Sequence, residues 1–155
     1  MAHRENIKDM LHGIDVQDKM IIDWGCGTKK VTKYTKGNPL EYFSIDKLDH
    51  VSADMVADIS DYVVLERAYD IAFCMEVLEH VKYPHMVFQN IFLNLKKGGE
   101  LYMSVPFLFP VHSQEDYWRF TDQGLKFLTE NAGFKIDFIR PTDDNQGWLM
   151  HAFKE

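Results

Sequence analysis

Three groups of residues in this 155-residue chain have types and spacings that could do chemistry. The first is a set of glycines and acids placed after short apolar runs: Asp23-Trp-Gly-Cys-Gly27, Asp46 and Asp58. A glycine pair after a strand lets a ligand approach the backbone closely. An acid 19 residues past Gly27, closing the next apolar run, can accept both hydroxyls of a ribose. Gly25 and Gly27 alone would serve a tight turn equally well; Asp46 at a strand end moves the balance to a ligand. A pyrophosphate binder wants a third glycine where Lys30 stands, and Asp23 would repel a pyrophosphate. Asp23 suits a cationic ligand or a loop donor. An adenosyl group carrying positive charge therefore fits better than NAD, and a nicotinamide oxidoreductase is the weaker alternative.

The second group is Glu76, Glu79 and His80, an E-x-x-E-H set. On a helical turn, spacings of three and four put Glu76 beside both partners, a fair site for a hard divalent metal. The same residues could simply cap a helix. The third group lies in Pro106–Phe120, fifteen residues between two predicted elements, long for a connection in a compact domain and so a candidate lid or substrate wall. It mixes five aromatics with His112, Glu115, Asp116 and Arg119. His112 is the natural general base, because an unperturbed imidazole titrates nearest neutrality. Asp116 and Arg119 would meet the acceptor, or else pair with each other in a hydrophobic flap.

The elements that must position these groups follow from apolar patterning. Ile7, Met10 and Leu11 have helical spacing that stops at Gly13. Lys19–Trp24, Glu41–Asp46, Met55–Asp58, Tyr69–Met75 and Glu100–Val105 are continuous apolar runs, as expected of strands buried on both faces of a parallel sheet. Pro84 opens a helix whose stripe runs through Val87, Phe88, Ile91, Phe92 and Leu95, and Gly98-Gly99 is expected to end it. Thr121 caps a helix that stops at Gly133. Phe134–Phe138 and Trp148–Phe153, joined by a turn-rich stretch, predict a closing hairpin. Only 13 residues, Thr28–Leu40, separate Gly27 from the second strand, and their β-branched, lysine-rich composition predicts a helical stub or an irregular crossover. Lysines 29, 30, 33 and 36 there either attract an acidic substrate or form a solvated face. Strand-helix alternation throughout argues a doubly wound α/β fold.

Ile22–Gly27, Asp46, Val56–Ile59 and Cys74–Val81 resemble the motifs of class I S-adenosylmethionine-dependent methyltransferases. Leu95–Leu101, Ser104–Phe107 and Asn131–Phe134 continue the match in order. The resemblance is greatest to the type 11-like small-molecule branch. It implies a Rossmann-like seven-stranded sheet of order 3-2-1-4-5-7-6 with strand 7 antiparallel. Gly25, Cys26 and Gly27 would lie under the methionine moiety of S-adenosylmethionine, with Asp23 beside them. Asp46 would hold the ribose, Asp58 and Ile59 the adenine, and Met75 would line the cofactor near its sulfonium. Glu76, Glu79 and His80 match a pattern that some O-methyltransferases use with magnesium, and that many relatives carry with no metal. Pro106–Thr121 resembles a pattern in methyltransferases linked to surface-glycan assembly.

Composition bounds the rest. Apolar residues at 46% and charged ones at 26% are ordinary for a globular chain, so a single domain over 1–155 is expected, with 1–17 as N-terminal helix and lead-in and 18–155 as core. A net charge of −7 argues against long nucleic acid as a partner. No apolar run approaches a membrane span, no signal peptide opens the chain, and Cys26 and Cys74 form no disulfide framework; a cytoplasmic protein is expected. The resulting expectation is a methyltransferase that converts S-adenosylmethionine to S-adenosylhomocysteine on a small-molecule acceptor, by O-methylation of a glycan precursor or similar hydroxyl compound. A non-catalytic cofactor-binding module is the alternative. Oligomeric state and acceptor identity are left open.

Overall fold

Runs of apolar residues too short for helices pair into one parallel sheet with an antiparallel hairpin at one edge. The structure, a computed structural model, describes residues 2–28 and 30–155; Met1 and Lys29, one of the crossover lysines, lie outside the described residues. Seven strands, β1 (Met20–Trp24), β2 (Glu41–Asp46), β3 (Met55–Val56), β4 (Tyr69–Met75), β5 (Leu95–Pro106), β6 (Lys135–Pro141) and β7 (Gly147–Phe153), stand in the order β3-β2-β1-β4-β5-β7-β6. The first five pair in parallel, and β7 runs antiparallel to both β5 and β6. The expected order and strand polarity hold.

Three helices cover the sheet: α1 (Ala2–His12), α2 (Pro84–Asn94) and α3 (Asp122–Asn131). Alternation along the strands divides the core. Ile22, Trp24, Ala72 and Leu101 join Phe88, Ile91 and Leu125 of α2 and α3, while Ile21, Ile71 and Phe73 join Ile7, Met10 and Leu11 of α1. Pro84 occupies the first turn of α2, where its missing N–H costs nothing. Thr121 Oγ1 accepts the Gly124 amide at 3.1 Å, the cap that sets the start of α3. Between β1 and β2 the described residues hold one 3₁₀ turn, Val31–Lys33.

Several boundaries differ from expectation. The third strand stops at Val56, leaving Ala57 and Asp58 in the loop after it, because β2 ends at Asp46, opposite Val56. Strand β5 begins at Leu95 rather than Glu100. The glycine pair after α2 does not end the helix, because α2 stops at Asn94 and Leu95 already pairs with Tyr69. Lys154 performs the capping: its Nζ donates to the carbonyls of Phe92 and Leu95 at 2.7 and 2.8 Å. Gly98 and Gly99 lie instead in the irregular start of β5, where the register shifts before Ile71 pairs with Glu100. Gly98, at φ 78°, there bonds the Lys154 carbonyl. No helix among the described residues is long and apolar enough to cross a membrane.

Candidate functional site

Strand order reverses between β1 and β4, and ligands of such sheets bind at the carboxyl ends of the strands beside that point. A cavity of about 680 Å³ lies there, within the range of small-ligand pockets. Gly25 and Gly27 form its floor, both with positive φ (74° and 53°). A Cβ on Gly25 would stand 2.5 Å from Val77, whereas one on Gly27 would meet nothing within 4 Å, so Gly27 presents open backbone to the cavity. Asp46 stands beside it and is fixed by two backbone amides: Gly27 N–H donates to Oδ2 at 2.8 Å and Leu48 N–H to Oδ1 at 2.9 Å. Asp58 and Ile59 form a further wall, with Asp58 Oδ1 accepting the Ser60 amide at 2.8 Å.

The other residues expected at the cofactor lie behind these walls. Cys26 is buried near Ser44, and burial pushes its thiol up to about 11. Met75 packs on the α1 side of the sheet. Asp23, 2% exposed, turns to that side too and accepts the Tyr42 hydroxyl at 2.6 Å. Burial raises its pKa from 3.8 to about 6, against the pull of Tyr42 and of the Val31 amide. The raised value makes Asp23 a source of pH-dependent instability. The folded state holds a proton that the unfolded state releases, so the penalty is absent below about pH 4, grows towards pH 6 and is complete above it. Asp23→Asn, which can still accept from Tyr42, should therefore stabilise the fold at pH 7.5 by about 1–3 kcal/mol. Thermal unfolding should show this gap closing towards pH 4; a gap independent of pH would mean that Asp23 is not the titrating group.

Glu76 and His80 line the cavity as well, and Glu79 and His112 lie against His80. Glu76, at φ 56°, follows β4 and turns its side chain to α1, where Oε2 lies 2.8 Å from His3 Nε2. It thereby leaves the face on which the E-x-x-E-H spacing would have placed it. The tight cluster is instead Glu79, His80 and His112, whose ligand atoms lie within 4.8 Å of one another. His80 Nε2 and His112 Nε2 are 3.2 Å apart, and Glu79 Oε1 lies 3.5 and 4.0 Å from them. Glu79 has no exposed surface, and among the described residues neither carboxylate oxygen has a hydrogen-bond partner. Burial, with the nearby Glu76 charge, raises its pKa to about 8.

The flap 107–120 is stitched over this cluster. The Tyr117 amide donates to the Glu79 carbonyl at 2.7 Å and Trp118 Nε1 to the Val81 carbonyl at 2.8 Å. Lys47 and Glu115 pair between the end of β2 and the flap. Asp116 and Arg119 do not line the cavity. They pair with each other, and Arg119 also donates to the carbonyls of Phe109, Pro110 and Trp118 at 2.9, 3.0 and 2.7 Å. The Arg119 guanidinium holds the Asp116 carboxyl far below the usual carboxylate range. Asp116 Oδ2 lies 3.0 Å from His112 Nδ1 and accepts the His112 amide at 3.0 Å, so it fixes the ring from behind. Sequence reasoning passed over His3 and Lys47, since no spacing links an N-terminal helix or a strand-end lysine to groups elsewhere in the chain.

The sequence profile of the family described as "Methyltransferase domain" matches residues 3–137. The chain belongs to the class I S-adenosylmethionine-dependent methyltransferases. Among curated proteins it is similar to the ubiquinone biosynthesis O-methyltransferase of Saccharophagus degradans, 27% identical over 158 aligned residues that cover 88% of this chain. The chain spans 64% of the length of that relative. Among solved structures, an S-adenosylmethionine-dependent methyltransferase from Mesorhizobium loti superposes with a TM-score of 0.76 at 14% identity, covering 99% of this chain and 98% of that one. The 1,6-didemethyltoxoflavin-N1-methyltransferase of Burkholderia thailandensis, solved with S-adenosylhomocysteine, gives 0.75 at 19% identity, covering 99% and 78%. At these identities the structural likenesses speak for the fold.

The cavity fits the family's cofactor. Open backbone at Gly27, a carboxylate beside it and a second acid on the far wall offer the three kinds of contact an adenosyl group needs. Family membership also removes the nicotinamide reading. The cluster of Glu79, His80 and His112 fits a divalent cation, because a buried carboxylate with no donor among the described residues, beside two ring nitrogens, is a ready oxygen and nitrogen ligand set.

Proposed function

We propose that this chain transfers the methyl group of S-adenosylmethionine to a hydroxyl oxygen of a small-molecule acceptor, with a divalent cation held by Glu79, His80 and His112. The observation that carries this reading is Glu79: a carboxylate with no exposed surface and no hydrogen-bond partner among the described residues, beside two imidazole nitrogens, of which the one on His80 belongs to the cavity lining. The curated relative's O-methyltransferase activity supports an oxygen acceptor, and the flap pattern Pro106–Thr121 supports a glycan precursor or a similar hydroxyl compound.

S-adenosylmethionine supplies an already activated carbon: the oxygen–carbon bond forms as the carbon–sulfur bond breaks to leave S-adenosylhomocysteine, and the hydroxyl proton leaves to bulk solvent, so the protein has to align the acceptor and exclude competing water. Gly25 and Gly27 support the methionine end, Asp46 the ribose, and Asp58 with Ile59 the adenine. A divalent cation would supply Lewis acidity towards the acceptor oxygen. Asp116 orients His112, Arg119 fixes Asp116, and the flap closes the acceptor end through Tyr117 and Trp118. Glu76 and His3 set the wall on the α1 side.

The experiment is turnover of S-adenosylmethionine to S-adenosylhomocysteine with a panel of sugar, catechol and amine acceptors, each run with Mg²⁺ and with chelator. Methylation of a hydroxyl acceptor that stops on chelation and returns with Mg²⁺ is expected. Methylation of the amine alone would overturn the oxygen reading, and chelator-insensitive turnover would overturn the cation. Tight cofactor binding with no turnover on any acceptor would favour a non-catalytic module.

A further inference from the structure

The segment 57–68 between β3 and β4 carries the cavity wall Ala57, Asp58 and Ile59, yet it contains neither helix nor strand. A backbone without a ladder must find its hydrogen bonds elsewhere. Two buried asparagines on one face of α2 provide them. Asn90, fully buried, donates from Nδ2 to the carbonyls of Ile59 and Asp61 at 2.8 and 2.6 Å and accepts the Val63 amide on Oδ1 at 3.0 Å. Asn94, one turn on, donates to the Val63 carbonyl at 2.8 Å and accepts the Leu65 amide at 2.8 Å.

From this geometry we infer that Asn90 is a positioning residue for recognition of the cofactor's base, an inference that rests on the placement of adenine against Asp58 and Ile59. The turn bearing Asp58 is pinned at two points. At its start the Ala57 amide donates to the Asp46 carbonyl at 2.9 Å, and past its end Asn90 grips Ile59 and Asp61 on either side of Ser60. Asp58 itself is exposed and bonds only within its own turn among the described residues, so its direction is inherited from these anchors. Only a primary amide offers two donors and one acceptor from one planar group. Asn94 serves the part of the crossover beyond Val63, away from the cavity.

The test compares S-adenosylhomocysteine with S-inosylhomocysteine, in which an oxygen replaces the purine amino group, by calorimetry. The wild-type protein should prefer the adenosyl ligand by about tenfold or more, since a site built to receive a donor rejects an analogue lacking it. Asn90→Ser should reduce that preference to about twofold, and should raise KM for S-adenosylmethionine about tenfold with kcat at saturation within about twofold. Asn94→Ser should lower Tm and keep the preference. Should Asn90→Ser fail to fold, Asn90→Gln, which keeps the amide but displaces it by a methylene, carries the same expectation. An Asn90 variant that keeps the wild-type preference, or weakens both ligands equally, overturns the inference. Asp58→Ala separates the two failures. If it leaves the preference intact, the adenine placement is wrong and the inference falls with it; if it abolishes the preference while the Asn90 variant does not, the inference alone falls.

Discussion

His112→Ala should lower kcat by about 10²–10⁴-fold while leaving affinity for S-adenosylmethionine within about twofold. The asymmetry follows from where the ring sits. His112 belongs to the flap, does not line the cofactor cavity, and aims Nε2 at His80 and Glu79 while Asp116 holds Nδ1. Removing it leaves the glycine floor and Asp46 untouched but takes one of three groups from the candidate cation site. Mn²⁺ binding, followed by electron paramagnetic resonance, separates a ligand from a general base. As a ligand, His112 sets cation affinity, so His112→Ala should bind Mn²⁺ more weakly and recover part of its rate at high Mg²⁺. As a base, it would lose rate at every cation concentration with Mn²⁺ affinity unchanged. Asp116→Asn should follow the same pattern at smaller scale, weakening the cation about 10–100-fold, because it loosens the ring rather than removing it. A His112→Ala variant with full rate would reduce the ring to flap packing.

The scaffold was legible because its signals are local. Continuous apolar runs ending in Trp24, Asp46 and Met75 mark buried parallel strands whose carboxyl ends must converge, and Thr121 and Pro84 announce helix starts through their own backbone chemistry. The cavity floor is legible for the same reason, since Gly25, Gly27 and Asp46 each sit at a strand end and the fold alone brings those ends together. The cluster around Glu79 is not. Helical spacing predicts Glu76 beside Glu79 and His80, but a left-handed residue at the end of β4 sends Glu76 to His3, 73 residues away, and His112 from the flap takes its place. Asp116 and Arg119 have the composition of acceptor contacts and are consumed by one another and by flap carbonyls. Long-range partners decided each of these cases, and no periodicity encodes them. Lys154, which caps α2 in place of the glycine pair, is the same lesson in the scaffold itself.

Asp46→Ala should weaken S-adenosylhomocysteine binding by about tenfold or more, because it removes a charged acceptor for two ribose hydroxyls, each such bond being worth about 1.5–3 kcal/mol. The carboxylate does a second thing. It receives the Gly27 and Leu48 amides, so the alanine variant also releases the glycine turn that presents open backbone to the cavity. Asp46→Asn distinguishes the two contributions. An amide oxygen can still accept the Gly27 amide, so the turn should survive while the charge is lost, and affinity should fall between wild type and alanine. Calorimetry on the three proteins checks the order. Equal affinities, with the fold intact by circular dichroism, would mean that the ribose lies elsewhere. Asp58→Ala should be the milder change, since one purine amino group is a single neutral donor, and Ile59 would still offer the base an apolar wall. Were Asp58→Ala the more damaging of the two, the adenosyl group would lie reversed along the cavity, with its base at β2 and its ribose at the turn that Asn90 holds.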